Sequence, residues 1–287
     1  MPTVSPIFAD AMSHVLDQNW LGPVTKYQIL VVVAAGLVGW AMISLAKRVA
    51  TGEPVRGPLW NGLEALLLFI RDDVARPNIH SGHDHHEFHT DAEEHAHEAE
   101  VARHDQHYLA DKFVPFLWTL FLFILTCNLL GMIPFLGSPT ASISVTAVLA
   151  IVVFLVIQVS AVIKLGPFKY VKAFIPQLKG DNIIMSIFLL LVIVPLIAVI
   201  EFLGIFIRGA VLAIRLFANM FGGHVALAVI MAMAIGANGA FNIGGGVGAV
   251  LLGTALSVLE LLVAFLQAFV FVLLTSIFLG MQLNPEH

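Results

Sequence analysis

The sequence has few charged residues and almost no cysteine. Asp, Glu, Lys and Arg make up only 11% of its 287 residues, whereas soluble domains contain about 25%. The small, scattered basic content argues against nucleic-acid binding. The single cysteine, Cys127, lies inside an apolar segment, which excludes an intramolecular disulfide and a cysteine metal site. We find neither a glycine-rich phosphate loop nor a nucleophile triad.

Apolar residues dominate instead. They form 59% of the chain, and the mean hydropathy is +0.93. Several segments exceed the length of about 20 apolar residues that crosses a bilayer. The charge-free ones are 27–46, 113–135 and 143–163. We therefore predict an all-α polytopic membrane protein with about five membrane-embedded helices, the first at 25–48 after a short lead (1–24), and a membrane domain over 113–287.

The region between the first two spans has a different character. In 58–76, apolar residues recur at helical spacing with polar residues elsewhere, which is typical of an amphipathic helix on the membrane surface. These apolar residues are Trp60, Leu63, Leu67, Ile70 and Val74. The segment 77–112 is rich in His and acids. We expect it to be a cytoplasmic insert, either a solvated loop or a helix extension, because Glu and Ala are dense at 91–104.

Basic residues predict the orientation. They follow the first span, precede the second and follow the third: Lys47, Arg48 and Arg56; Arg103 and Lys112; Lys164, Lys169, Lys172 and Lys179. The positive-inside rule places these segments in the cytoplasm. The N-terminus is then outside and the C-terminus is cytoplasmic.

The last hundred residues contain two unusually long apolar stretches, 183–235 and 241–283. As straight helices, they would be about twice as long as the ~30 Å hydrocarbon core is thick. Either each stretch folds back, or each forms a long, strongly tilted helix. The glycines and asparagines of 236–246 predict a turn between them. We therefore expect the last two helices to be long, tilted and antiparallel, as a hairpin.

Both stretches contain ionisable residues, which are costly in a membrane. They are Glu201, Arg208, Arg215 and His224 in the first stretch and Glu260 in the second. In an antiparallel hairpin about 236–246, Arg215 faces Gln267 and His224 faces Glu260. This coincidence favours a polar path between the helices. Two simpler readings remain: Arg215 is a structural charge, or His224 and Glu260 form a static buried pair.

The motif "RLFANMFGGH" (215–224), followed by "LVAFLQAFVFVLLTSIFL" (262–279), resembles subunit a of the F-type ATP synthase. The resemblance implies a proton-conducting stator, not catalytic by itself and without a cofactor or metal, in a bacterial inner membrane. Its implied partners are the c-ring, subunit b of the peripheral stalk and the rest of the F1Fo complex. Two offset half-channels would load and unload protons on carboxylates of the c-ring.

The resemblance also implies roles for particular residues. Arg215 corresponds to the stator charge that faces the c-ring, with Asn219 and Gln267 as polar lining near it. Glu201 corresponds to the acid of the inner half-channel, and His224 and Glu260 to the proton relay of the outer one. Many bacterial members have the acid and the imidazole in exchanged positions, which supports a joint task for the pair. The coupling ion is H⁺ or Na⁺, and His224 favours H⁺.

A zinc or other cation transporter is the alternative. The segment 80–107 has nine histidines among eight acids, and such tracts bind metals. A zinc carrier also needs ligands within the bilayer, but the spans contain one histidine and no ligand pair at helical spacing. A cation/proton antiporter would require paired intramembrane aspartates, which the sequence lacks.

Overall fold

The chain is almost entirely helical in the parts that its computed structural model describes. These parts are 19–21, 24–50, 57–79, 92–133, 138–167, 170, 193–235 and 243–283. Within them, five helices are long and apolar enough to cross a membrane: Lys26–Ala50, Ala110–Gly131, Ile143–Leu165, Phe206–Ile230 and Gly246–Leu283. The predicted all-α polytopic architecture is confirmed.

A minimal hairpin of two strands precedes the first helix, with β1 (Asn19–Leu21) antiparallel to β2 (Val24–Thr25). The longer helices are α1 (Lys26–Ala50), α2 (Pro58–Phe69), α4 (Ala92–Gly131), α5 (Ile143–Leu165), α6 (Val194–Ile235) and α7 (Ile243–Leu283). A π-helical turn (Ile70–Ala75) joins α2 to the short α3 (Arg76–Asn78), and a 3₁₀ turn (Pro139–Ala141) precedes α5.

The helix α4 joins two parts of the sequence that differ in composition. It runs for 40 residues from the His- and Glu-containing segment into the second apolar span. Residues 92–112 of the predicted insert are therefore its first part, and residues 80–91 lie outside the described residues. Glu and Ala are good helix formers, so the polar segment forms the first part of a helix that continues into the apolar span.

The predicted turn at 236–246 is only partly described. Helix α7 begins at Ile243, so the last four residues of the predicted turn are helical. Residues 236–242 lie outside the described residues. The glycines of 244–246 extend the helix rather than end it, because a glycine weakens a helix by only about 1 kcal/mol relative to alanine.

The chain divides into two compact units. The first unit comprises Met1–Arg56, Thr119–Leu149 and Ala213–Phe271. Its small apolar cluster consists of Ala141, Met220 and Ala264 with Phe221 packed against it. The second unit comprises Gly57–Trp118, Ala150–Leu212 and Val272–His287.

In the second unit, the predicted surface helix packs its C-terminal end on α7. Ile70 and Val74, two of the five apolar residues that the spacing identifies, are fully buried. The π-helical turn leaves the Val74 carbonyl able to accept from the side chains of Asn78 and Ser276, at 2.7 and 2.9 Å. The bond from Ser276 ties the turn to α7.

Ion pairs fix the same segment to α4. The guanidinium of Arg76 donates through Nε and Nη2 to the two carboxylate oxygens of Asp111, at 3.1 and 3.0 Å. Its hydrogen bond to Asp111 raises the pKa of Arg76. The hydrogen bond from Arg71 lowers the pKa of Asp72, which also accepts from Arg76 at 2.8 Å.

Gly280 is where α7 passes closest to the end of α3. A Cβ at this position would lie 3.0 Å from the carbonyl carbon of Asn78 and 3.6 Å from the Cα of Ile79. Both are backbone atoms, which cannot rotate away as a side chain does. The close approach therefore requires glycine.

We expect Gly280→Leu to separate α7 from the segment 57–79, because overpacking of this kind costs about 1–3 kcal/mol. Tryptic cleavage after Arg71 in membrane vesicles should then be about tenfold faster than in the unsubstituted protein. Gly253→Leu is the control, since no heavy atom lies within 4 Å of a Cβ at Gly253. Equal cleavage rates in the two variants would contradict the proposed packing.

Candidate functional site

The first unit holds a buried acid and an imidazole between α6 and α7. Nδ1 of His224 lies 3.1 Å from Oε1 of Glu260, and the two side chains are only 10% and 5% exposed. The antiparallel register expected from the sequence is thus present in the structure. An ionisable pair is rarely buried to this extent unless its members compensate each other.

The pair retains hydrogen-bonding capacity. The two groups are within ion-pair distance but are not aligned as a hydrogen bond. Within the described residues, neither Nε2 of His224 nor Oε1 of Glu260 has a hydrogen-bond partner. An unpaired buried polar atom costs about 1–3 kcal/mol, so such atoms in a native protein require an explanation. Each group therefore retains an atom that is able to form a further hydrogen bond.

Gly223 makes room for the carboxylate. A Cβ at this position would lie 2.7 Å from Oε1 and 3.1 Å from Cδ of Glu260. A Cβ on the neighbouring Gly222 would meet no heavy atom within 4 Å. Sequence analysis missed this role of Gly223, because only the facing helix determines which of two adjacent glycines touches the acid.

A second polar pair lies along the same two helices. Nδ2 of Asn219 donates to Oε1 of Gln267 at 3.3 Å, and Gln267 is 4% exposed. The sequence register instead placed Gln267 opposite Arg215. Asn219 lies one turn beyond Arg215 on the same face of α6, and it is the residue that α7 contacts.

Arg215 is exposed on α6. Among the described residues, no carboxylate lies within 4 Å of its guanidinium. A structural ion pair involving Arg215 is therefore not present in the described part of the chain. Arg215 is thus open to its surroundings in the described part of the first unit.

A buried polar chain touches α7 between these two pairs. Asn128 on α4 donates through Nδ2 to the Ala264 carbonyl at 3.1 Å, and its Oδ1 accepts from Thr140 at 2.8 Å. Ser138 and Thr140 share a hydrogen bond of 2.7 Å. Ala264 lies between Glu260 and Gln267 on one face of α7. Sequence analysis identified neither Ser138 nor Thr140 as part of the site.

The remaining predicted residues are placed less fully. Glu201 belongs to α6, but its side chain lies outside the described residues. Among described residues, no group of three His, Cys, Asp or Glu side chains could hold a metal ion. The His-rich segment on which the zinc alternative depends has no described side chains at 80–107.

The fold and the site together define a class of protein. It is a polytopic helical membrane protein whose spans hold ionisable groups against each other. Intramembrane groups of this kind typically mark a path for ions or protons.

Comparisons with known proteins give the family. The family model described as ATP synthase A chain matches residues 99–280. ATP synthase subunit a of Rhizobium rhizogenes is 40% identical over 177 residues, 61% of this chain and 66% of that protein. The subunits a of Chloroherpeton thalassium and Pelodictyon phaeoclathratiforme are 32% and 31% identical over 91% and 92% of this chain, and over 67% and 66% of their own lengths. The chain belongs to the ATP synthase A chain family.

The match spans about two thirds of the length of these relatives. It includes all six residues that the sequence singles out, because Glu201, Arg215, Asn219, His224, Glu260 and Gln267 lie within 99–280. The resemblance noted in the sequence is confirmed.

The register of α6 and α7 is testable by crosslinking. In a Cys127→Ala background, we expect His224→Cys combined with Glu260→Cys to form a disulfide on mild oxidation in membranes, because the native side chains are in contact. The linked peptides are measured by mass spectrometry. A pair of Val225→Cys with Glu260→Cys is the control and should react several-fold less, since residue 225 is turned by about 100° around α6. The register is wrong if neither the 224–260 pair nor a 219–267 pair forms a link.

Proposed function

We propose that this chain is the proton-conducting stator subunit of an F-type ATP synthase. It would form two offset half-channels that load and unload protons on carboxylates of the c-ring, and it would couple proton flow to ring rotation and ATP synthesis. The buried contact between His224 and Glu260 carries this proposal. The chain itself would catalyse no covalent step, and its partners would be the c-ring, subunit b and the rest of the F1Fo complex.

The outer half-channel would use His224 and Glu260 as one relay. Imidazole changes its charge between about pH 5 and 8, and it has one nitrogen on each side of the ring. Nδ1 faces the Glu260 carboxylate at 3.1 Å, so a small rotation of either side chain would align the two groups for direct proton transfer. Nε2 is then available for the next donor or acceptor. A relay with an imidazole carries protons, which favours H⁺ over Na⁺ as the coupling ion.

Asn219 and Gln267 would continue this path towards Arg215. Their amides donate and accept hydrogen bonds without changing charge, so they orient the transferred proton without trapping it. The hydrogen bond between them aligns both amides between α6 and α7. Arg215 is one turn away from Asn219 on the same helix face.

Arg215 would hold the charge that separates the two half-channels. A ring carboxylate must be neutral in lipid, because an isolated charge there is costly. A carboxylate that faces Arg215 is stabilised in its charged form. Rotation would therefore release the proton on one side of Arg215 and take one up on the other. The exposure of Arg215, with no acid near it among described residues, fits a partner that moves.

Glu201 would serve the inner half-channel, as the resemblance implies. We place the N-terminus outside a bacterial inner membrane and the C-terminus in the cytoplasm. The membrane potential then supplies the direction, at about 2.3 kcal/mol per charge per 100 mV.

We expect Arg215→Ala to abolish proton-driven ATP synthesis while the subunit still inserts and assembles. It should also permit passive proton leakage, since no fixed cation would repel protons between the half-channels. Arg215→Lys should recover little, because a lysine in this setting deprotonates and guanidinium does not. Synthesis and leakage are measured in inverted vesicles, with Arg48→Ala as the control. Near-normal synthesis in the Ala variant would mean that Arg215 is structural.

We expect Gly223→Ala to slow proton conduction severalfold, since a Cβ there requires the Glu260 carboxylate to move from its place beside His224. Conduction is measured in vesicles stripped of the catalytic sector, as proton uptake driven by a potassium diffusion potential. Gly222→Ala is the matched control and should conduct at the unsubstituted rate. If the two variants conduct equally, the position of Glu260 does not limit proton entry.

A further inference from the structure

A groove in the second unit lies between α5, α6 and α7. Its empty space of about 420 Å³ includes space open to the surroundings, so it is a groove on the helix surface rather than an enclosed cavity. One wall is a single face of α5, formed by Ala150, Val153, Phe154 and Ile157. The other walls come from Arg208, Gly209 and Leu212 on α6 and from Phe278 and Gln282 on α7. The groove is apolar except for one cation and one amide.

Arg208 is the cation, and its contacts within the described residues leave its charge without an anion. Its Cζ lies 5.5 Å from the centre of the Phe278 ring, a cation–π distance. No carboxylate among the described residues lies within 4 Å of the guanidinium. The aromatic face orients the guanidinium but does not neutralise it. In a membrane-spanning helix, such a cation favours an anionic partner.

The position of the groove along α7 indicates the source of this anionic partner. Phe278 and Gln282 belong to the last turns of α7, which ends at Leu283. At the rise of an α-helix, Phe278 is about 7.5 Å from that end. The surface of α6 beside Arg208 is apolar and open, with Phe206 66% and Ile207 51% exposed. The groove thus opens onto a surface suited to acyl chains, near the level of the phospholipid head groups.

We propose that this groove binds one anionic phospholipid. The guanidinium fork of Arg208 binds two phosphate oxygens, an arrangement that suits Arg better than Lys. The amide of Gln282 donates to the phosphate or the head group. An acyl chain lies along the α5 face, against Phe154 and Ile157. The lipid neutralises Arg208 and fills the space between the three helices, and this role does not depend on the proposed proton path.

Photo-crosslinking tests the site. The intact complex is reconstituted in phosphatidylcholine that contains a trace of phosphatidylglycerol or phosphatidylcholine with a diazirine in one acyl chain. Labelled peptides are identified by mass spectrometry. We expect the phosphatidylglycerol probe to label 150–157 and 209–212 about tenfold more than the phosphatidylcholine probe does, which is the size of one charge-assisted contact.

Two variants separate charge from shape. Arg208→Gln should abolish the preference for phosphatidylglycerol. Gly209→Leu should reduce labelling by both probes while keeping the charge, because it fills the groove from a position where a Cβ meets nothing within 4 Å. Arg48→Gln and Gly253→Leu are the matched controls, and both should label like the unsubstituted protein.

Three results would overturn the proposal. The first is equal labelling of these segments by the two probes. The second is an unchanged preference in Arg208→Gln. The third is labelling that is absent from the unsubstituted protein and present in Glu201→Gln, which would identify Glu201, rather than a lipid, as the anion that neutralises Arg208.

Discussion

The register of α6 against α7 in the first unit is the constraint on which the site depends. The same antiparallel alignment brings His224 to Glu260 and Asn219 to Gln267. If the register changed by one residue, the side chain that faces the other helix would be replaced by its neighbour, which points about 100° away around the helix axis. Both polar pairs would then separate into an apolar environment, where each unpaired group is costly. The polar residues therefore specify the alignment, which apolar packing alone leaves less defined.

The third helix that secures this alignment is α4. The side-chain amide of Asn128 donates a hydrogen bond to the Ala264 carbonyl of α7, and its carbonyl oxygen accepts one from the Thr140 hydroxyl. Hydrogen bonds between membrane helices contribute only about 0.6 kcal/mol on average. Their main effect here is to fix the position of α7, because the bond at Ala264 lies between Glu260 and Gln267. The edge-to-face contact of Phe121 with Phe265, at 5.6 Å between ring centres, connects the same two helices.

The sequence was sufficient to predict the spans and the central pair. Charge-free apolar segments identify membrane spans directly. A hairpin turn at 236–246 predicts that His224 faces Glu260, and the structure has the two side chains in contact. The hydrogen bond that Gln267 accepts comes from Asn219, one turn from Arg215, because the rotation of each helix about its axis is set by packing and not by residue number. The roles of Gly223, Ser138 and Thr140 depend on which atoms of other segments lie nearby. No local pattern in the sequence contains that information.

Because Gly223 contacts Glu260, the size of the side chain at one position limits the size at the other, although the two residues are distant in the sequence. The carboxylate occupies the volume that a side chain at position 223 would take. A shorter acid at position 260 would release part of that volume for a methyl group at 223, whereas a methyl group beside the present glutamate requires its carboxylate to shift. Each of the two residues therefore sets the space that is available to the side chain of the other.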